Sequence, residues 1–322
     1  MATDDIGALV RRAGGGDATA MTALGKRLLT GDGVPADPGR ALVQIEEAAR
    51  RDEPEAVLLL ARLSAWGVMR PRSMSDALDG LARAAALGFE PAQRELHMLA
   101  GGPGDDFARL RRQVNVASLT RAPEARVASE SPAIRIANGF ASTAECRWLV
   151  DRGRHGMRRA QVYRRDAPGY QEAETRTNSE SDFTVWNADI VLELIRERMA
   201  ASLGTESRYF EVTKLLRYEP GQRFSLHADY QEPSTPALAK EIEQRGQRIA
   251  TFLVYLNDDF DGGETDFPEA GFRFRGRSGD ALWFSNVDAR GEPDHRSVHA
   301  GMPPTRGTKW LLSQWVRDRP VA

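Results

Sequence analysis

The sequence predicts a multidomain α + β protein, in which an N-terminal α-helical repeat solenoid is followed by a jelly-roll β domain with flanking helices. Three observations carry this expectation. Residues 17–100 repeat at one fixed spacing, helical periodicity gives way to short strand-like runs after Tyr209, and Gly, Pro and Asp turns punctuate those runs.

At 322 residues, 41% of them apolar and 28% charged, the chain has ordinary globular composition and length enough for two domains. Its 44 Lys and Arg against 46 Asp and Glu leave a formal charge of −2, so no basic excess points to nucleic acid or an anionic membrane. Cys146 is the sole cysteine, which rules out an intrachain disulfide and fits a reducing compartment. The opening MATDDIG lacks the basic and apolar regions of a signal peptide, and the most apolar run, 56–68, is interrupted by Arg62. The expectation is a soluble, cytoplasmic protein with no membrane partner.

Ala20, Ala56 and Ala92 stand 36 residues apart, as do Leu24, Leu60 and Leu96. Gly31 matches Gly67 at the same spacing, and Ala48-Ala49 matches Ala84-Ala85. Small residues at the repeated positions let two helices approach closely while Leu fills the seam, and a Gly-containing break such as TGDGVPADP separates the helices of a pair. These units resemble Sel1-like repeats, the tetratricopeptide-related helical pairs; the resemblance covers about a quarter of the chain and bears on fold and partner binding.

Residues 101–131 are polar and read as a linker with a short helix at 107–114. Beyond it, 133–136 reads as a strand and 141–153 as a helix opened by a capping box of Ser142 and Glu145. The run 161–164 reads as extended, 176–183 as polar, and 187–203 as an amphipathic helix with Ile190, Leu194, Ile195 and Met199 on one side. Strands are expected at 210–217, 224–229, 248–256, 265–268, 272–275, 281–285, 297–300 and 308–316, a pattern that fits a jelly roll. The domains are therefore a helical repeat domain at 1–100, a linker at 101–131 and a β domain at 132–322.

The stretch YEPGQRFSLHADY, 218–230, carries His227 and Asp229 on an expected strand, where residues two apart share a face. Imidazole and carboxylate then address one point, and a second imidazole would complete the two-His, one-carboxylate face of a non-haem Fe(II) site. His299 and His295 compete for that place. His299 ends an extended SVHA with Lys309 on the following strand, whereas His295 reads as loop; a lone His is otherwise more often a hydrogen-bonded surface residue, the reading given to His295, His97 and His155. Lys309 could anchor a dicarboxylate that chelates the iron; its alternative is a strand-edge lysine.

Four blocks in order, YEPGQRFSLHADY, RIATFLVYLNDDFDGGETDFPEAG, GDALWFSN and DHRSVHAGMPPTRGTKWLLSQWVR, resemble the prolyl 4-hydroxylase family of Fe(II)/2-oxoglutarate dioxygenases over about residues 132–320. The resemblance implies a double-stranded β-helix oxygenase domain with His227, Asp229 and His299 as iron ligands. It implies Lys309 as the partner of the distal carboxylate of 2-oxoglutarate, with Tyr218 and Thr251 as hydrogen-bonding neighbours of that cosubstrate. Trp315 would stand near the substrate mouth, with core packing as its alternative, and Arg176 near the opening, with a structural salt bridge as its alternative. Phe224 departs from the pattern, since the family often has Tyr there, so an aromatic wall remains without its hydroxyl.

The implied reaction couples decarboxylation of 2-oxoglutarate, to succinate and CO₂, with hydroxylation by O₂ of a prolyl residue in a protein or peptide that the solenoid helps to hold. Ascorbate would rescue oxidised iron. The alternatives are the same chemistry on another amino-acid side chain or small molecule, and a non-catalytic adaptor in which the repeats bind a partner.

Overall fold

The computed structural model describes residues 6–163, 170–184 and 186–321, and the chain divides into two compact units: Met1–Leu119 with Val185–Leu194, and Thr120–Thr184 with Ile195–Ala322. Among the described residues no helix is long and apolar enough to cross a membrane.

The first unit is a run of antiparallel helices: α1 (Ile6–Gly14), α2 (Ala18–Thr30), α3 (Pro38–Arg50), α4 (Pro54–Trp66), α5 (Met74–Ala86), α6 (Glu90–Ala100), α7 (Phe107–Gln113) and α8 (Val116–Leu119). The 36-residue spacing reappears in the capping chemistry. Asp17 and Glu53 accept the Ala20 and Ala56 N–H groups at 3.0 and 2.7 Å, Asp37 and Ser73 cap α3 and α5 in the same way, and Gly31 and Gly67 end α2 and α4 in the left-handed conformation. At the third equivalent position stands Phe89, which offers no side-chain cap. Ala41, Ala48, Ala56, Ala77, Ala84 and Ala92 are buried in the seams. Gly25 is needed there because a Cβ would lie 2.6 Å from the Ile45 side chain.

The unit also takes in Val185–Leu194, 66 or more residues downstream of α8 in sequence, a boundary absent from the sequence reading. Besides the buried Ile190 and Val191, polar contacts tie it in. Glu95, fully buried, accepts the Ile190 N–H at 2.7 Å and an Arg62 N–H at 2.6 Å, while Arg72 pairs with Glu193 at 2.9 Å.

The second unit contains β1 (Arg126–Glu130), β2 (Ala133–Ala137), α9 (Thr143–Gly153), the short β3 (Arg158–Arg159), β4 (Val162–Tyr163) and β5 (Tyr170–Gln171), then β6 (Ser179–Phe183). After α10 (Ile190–Leu203) come β7 (Thr213–Tyr218), β8 (Phe224–His227), α11 (Pro236–Arg245), β9 (Arg248–Tyr255), β10 (Asp261–Gly262), β11 (Thr265–Phe267) and β12 (Phe272–Phe274). The chain ends through β13 (Ala281–Ser285), β14 (His299–Gly301), β15 (Pro304–Arg306) and β16 (Lys309–Arg317). A large sheet of order β1-β2-β13-β9-β16-β7-β6-β3 faces a smaller one of order β12-β11-β14-β8. Phe267 and Phe274 of the small sheet pack on Ile134, Ile136, Leu253, Leu282 and Phe284 of the large one.

Several expectations change. The stretch read as linker contributes α7 and α8 to the first unit and β1 to the edge of the large sheet of the second. The run read as merely polar forms β6, paired between β7 and β3, because Arg176 and Lys214 neutralise its buried Glu180 and Lys214 and Arg158 its Asp182. The expected extension at 161–164 is strand at Val162–Tyr163, and Arg164 lies outside the described residues. The capping box of Ser142 and Glu145 opens α9 as expected, whereas α11 has no counterpart in the sequence reading.

Candidate active site

The two histidines meet by register. His227 on β8 and His299 on β14 are directly opposed in an antiparallel pair, which puts both rings on one face, 4.3 Å apart between centroids. Asp229 arrives differently from expectation. The strand ends at His227 and Asp229 sits in the bend beyond it, held in place from the large sheet: Thr251 on β9 donates its hydroxyl proton to Asp229 Oδ2 at 2.7 Å. Asn286, fully buried, donates in turn to Thr251 Oγ1 at 3.1 Å.

The three side chains offer ligand atoms that all lie within 4.8 Å of one another. His227 Nε2 is 3.6 Å from Asp229 Oδ1, and His299 Nε2 is 3.6 Å from Asp229 Oδ2. Each ring directs its Nδ1 to a backbone carbonyl two residues earlier, Ser225 O at 2.9 Å and Ser297 O at 3.0 Å. With Nδ1–H donating there, each Nε2 carries its lone pair toward the shared point, the tautomer a metal requires. Burial, and then the facing His299 ring, pushes His227 down to about 3. Burial opposes the charge of Asp229, but the two imidazoles and the Thr251 hydroxyl outweigh it and hold its carboxyl below the ordinary range. Neutral imidazoles and an ionised carboxylate are a donor set that fits Fe(II).

Lys309 faces the same small inner cavity, together with Tyr218, Thr251 and the three candidate ligands. It is paired across strands with Tyr218, is fully buried, and its Nζ has no hydrogen-bond partner among the described residues. The Tyr218 and Tyr255 rings stand 5.2 and 5.1 Å from the ammonium. Gly263, at φ +69, lets the backbone pass closely; a Cβ there would lie 3.2 Å from Lys309 Cδ and 2.9 Å from the Phe260 ring. A buried ammonium without an anion is a site built for one.

Trp315 resolves by strand parity. The pairing of β16 with β9 stays regular until Val316, so Trp315 shares the face of Lys309 and stands opposite Thr251. It borders both the inner cavity and an outer cavity of about 690 Å³. Arg176 makes the salt bridge that was its alternative, to Glu180 at 2.8 Å, and also lies 4.5 Å above the Phe224 ring, which stacks on His227. His295 is outside the cluster, its Nδ1 bonded to the Tyr230 hydroxyl at 2.8 Å.

Residues 213–317 match the model of the 2OG-Fe(II) oxygenase superfamily. Over 207 residues the chain is 30% identical to Prolyl 4-hydroxylase 1 of Arabidopsis thaliana, covering 60% of this chain and 71% of that protein. The chain belongs to the prolyl 4-hydroxylase family of 2OG-Fe(II) oxygenases. It is a 2-oxoglutarate-dependent dioxygenase, and the family implies Fe(II), 2-oxoglutarate and O₂. Among solved structures, the 2OG complex of a viral collagen prolyl hydroxylase from Paramecium Bursaria Chlorella virus-1 aligns with 57% of this chain and 95% of its own, at 25% identity and TM-score 0.45. A Sel1 repeat protein from Oxalobacter formigenes aligns with 34% of this chain and 84% of its own, at 28% identity and TM-score 0.30.

Within this dioxygenase, sequence reasoning missed Asn286 and the two carbonyls that orient the histidines. Backbone acceptors leave no residue signature, and Asn286 stands 35 positions from the threonine it holds. Only the block GDALWFSN drew attention to it.

Proposed function

We propose that the chain hydroxylates a prolyl residue of a protein or peptide while converting 2-oxoglutarate to succinate and CO₂. One observation carries this reading: two opposed imidazoles and a carboxylate share an inner cavity with a buried, partnerless ammonium. In this assignment His227 Nε2, His299 Nε2 and an Asp229 oxygen hold the iron. Lys309 receives the distal carboxylate of 2-oxoglutarate, with Tyr218 beside it. Thr251, expected to bond the cosubstrate, instead spends its proton on Asp229 and is assigned to orienting that ligand.

Iron held by His227, Asp229 and His299 would, with 2-oxoglutarate and O₂, supply the oxidising power that couples decarboxylation to hydroxylation of a substrate C–H bond. The protein positions the partners, neutralises the dicarboxylate and excludes water. The outer cavity, walled by Arg176, Phe224, Leu226 and Trp315, is assigned to the substrate residue. Ascorbate as the reductant that restores ferrous iron is carried by the family resemblance alone, and a role of the helical unit in holding a protein substrate by the general use of repeat surfaces.

The test measures succinate from 2-oxoglutarate with Fe(II) and O₂, with and without proline-containing peptides, in wild type and His227→Ala. Wild type should be stimulated by peptide, and the variant should lose roughly three orders of magnitude or more, as loss of a metal ligand requires. Stimulation by free amino acids but by no peptide would overturn the protein-substrate assignment.

A further inference from the structure

Arg317, at the end of β16 away from Lys309, is fully buried, yet it touches neither candidate ligands nor the inner cavity. It donates to Glu211 Oε1 at 2.7 Å, to Glu241 Oε1 at 2.8 Å, to Gln231 Oε1 at 3.1 Å and to the Gly246 carbonyl. Glu211 in turn receives Arg248 through both carboxylate oxygens, at 2.7 and 3.0 Å. The guanidinium of Arg248 lies 3.8 Å above the Trp315 ring, whose Nε1 has no hydrogen-bond partner among the described residues. Both Arg248 and Trp315 border the outer cavity, as do Gln231 and Leu238.

The other end of this chain of charges reaches α11. No residue of α11 is fully buried, and Leu238, Ala239 and Ile242 are only half-buried, so the apolar burial that ordinarily fixes a helix is incomplete there. Polar contacts supply the rest. Arg317 grips Glu241 and the Gly246 carbonyl, Arg319 donates to the Glu243 carbonyl at 2.7 Å, and Gln231 and Gln247 exchange hydrogen bonds at 2.7 and 2.8 Å. A wall held in large part by charge is sensitive to the loss of one carboxylate.

We infer that Glu211 and Arg317 are positioning residues for the substrate: through Arg248 they set the Trp315 indole, and through Glu241 they dock α11 as a wall of the outer cavity. The inference rests on reading that cavity as the substrate's. The network's hydrogen bonds bypass Lys309, Tyr218 and the two histidines, and its α11 end stands clear of the candidate ligands, whereas the Arg248 charge also acts on Asp229.

Glu241→Gln tests it at the half-buried end of the network, where the side chain keeps its shape. In the full-length, Fe(II)-loaded protein, amide hydrogen exchange across 236–246 should accelerate by about tenfold. With poly-L-proline as the probe, KM should rise by about fivefold while kcat and the KM for 2-oxoglutarate stay within about twofold. Arg248→Met, at the other end, should reproduce the rise in KM for poly-L-proline without changing exchange in α11. Unchanged exchange in Glu241→Gln, a parallel rise in the KM for 2-oxoglutarate in that variant, or an unchanged KM for poly-L-proline in Arg248→Met, would overturn the inference. The exchange arm needs no substrate, so a wild type silent on poly-L-proline would sink the prolyl reading and leave the network to be judged on its own.

Discussion

Strand β16 begins and ends with a fully buried cation, and the two have opposite surroundings. Lys309 has no hydrogen-bond partner among the described residues, with two tyrosine rings about it. Arg317 is bonded to two carboxylates, an amide and a carbonyl. Burying a charge is costly unless partners offset the lost hydration. Arg317 has its partners inside the chain and is part of the structure. Lys309 lacks one, so the fold carries a cost that an incoming anion, or loss of the ammonium proton, relieves. Satisfaction of a buried charge, more than burial itself, separates the scaffold from the site.

The largest consequence is expected at the satisfied end. Arg317→Met leaves Glu211 with Arg248 alone and Glu241 with the half-exposed Arg245 alone, and removing one member of a buried ion network costs about 3–5 kcal/mol. Urea unfolding of the second unit's transition should show a loss of that size. An unchanged midpoint would mean that the network contributes nothing to stability, and the contrast between the two cations would fail.

Lys309→Met should behave in the opposite sense. Removing an unpartnered ammonium and filling its place with an apolar chain should hold or raise the melting temperature of the ligand-free protein. The affinity for 2-oxoglutarate should fall by roughly a hundredfold, since the distal carboxylate then loses a desolvated charge pair. A variant that both melts earlier and binds 2-oxoglutarate normally would place Lys309 in the scaffold.

The same reasoning fixes a pH dependence. Burial pushes Lys309 down to about 7, with the charge of Glu264 opposing it. Its folded value is thus below its unfolded one, so between about pH 7 and the ordinary lysine range the unfolded chain holds more protons, and ligand-free stability rises with pH across that window. Binding the dianion demands the protonated amine. Above about pH 7 binding must therefore take up a proton, and affinity should fall by up to about tenfold per pH unit. Calorimetric titration of 2-oxoglutarate into the Fe(II)-loaded protein without O₂, at pH 6 to 9, checks this, with Lys309→Arg as the variant that should be flat.

The contrast also explains what the sequence could disclose. Period and motif are local or repeated, so the solenoid showed itself through Ala20, Ala56 and Ala92, and the site through His227, Asp229, His299 and Lys309. Pairings between distant polar residues leave no period. β6 read only as a polar run, because nothing local in the sequence shows that Arg176 and Lys214 lie against Glu180 and Asp182. α11 escaped because its apolar stripe is only Leu238, Ala239 and Ile242 in a short, otherwise charged run. Glu95 gave no hint that it would hold the Ile190 N–H. Even Asp229 was placed by an argument from strand alternation that the structure does not use, since Thr251 does the placing.

Between the two cations stands a half-satisfied group that tests the contrast most finely. Asn286 Nδ2 donates to Thr251 Oγ1, while its Oδ1 is buried without a partner among the described residues. With that donor in place the Thr251 oxygen is occupied as an acceptor, and its own proton is directed to Asp229 Oδ2. Thr251→Val removes the contact to the ligand and should weaken Fe(II) binding by about tenfold, the usual cost of an outer partner to a ligating carboxylate. Asn286→Ala removes only the constraint on the hydroxyl rotor, which can still find Asp229, so about threefold is expected. Metal titration of both variants, monitored without turnover, decides it. Equal losses would mean that Asn286 fixes the threonine's geometry outright, and no loss in Asn286→Ala would mean that the carboxylate alone orients the hydroxyl.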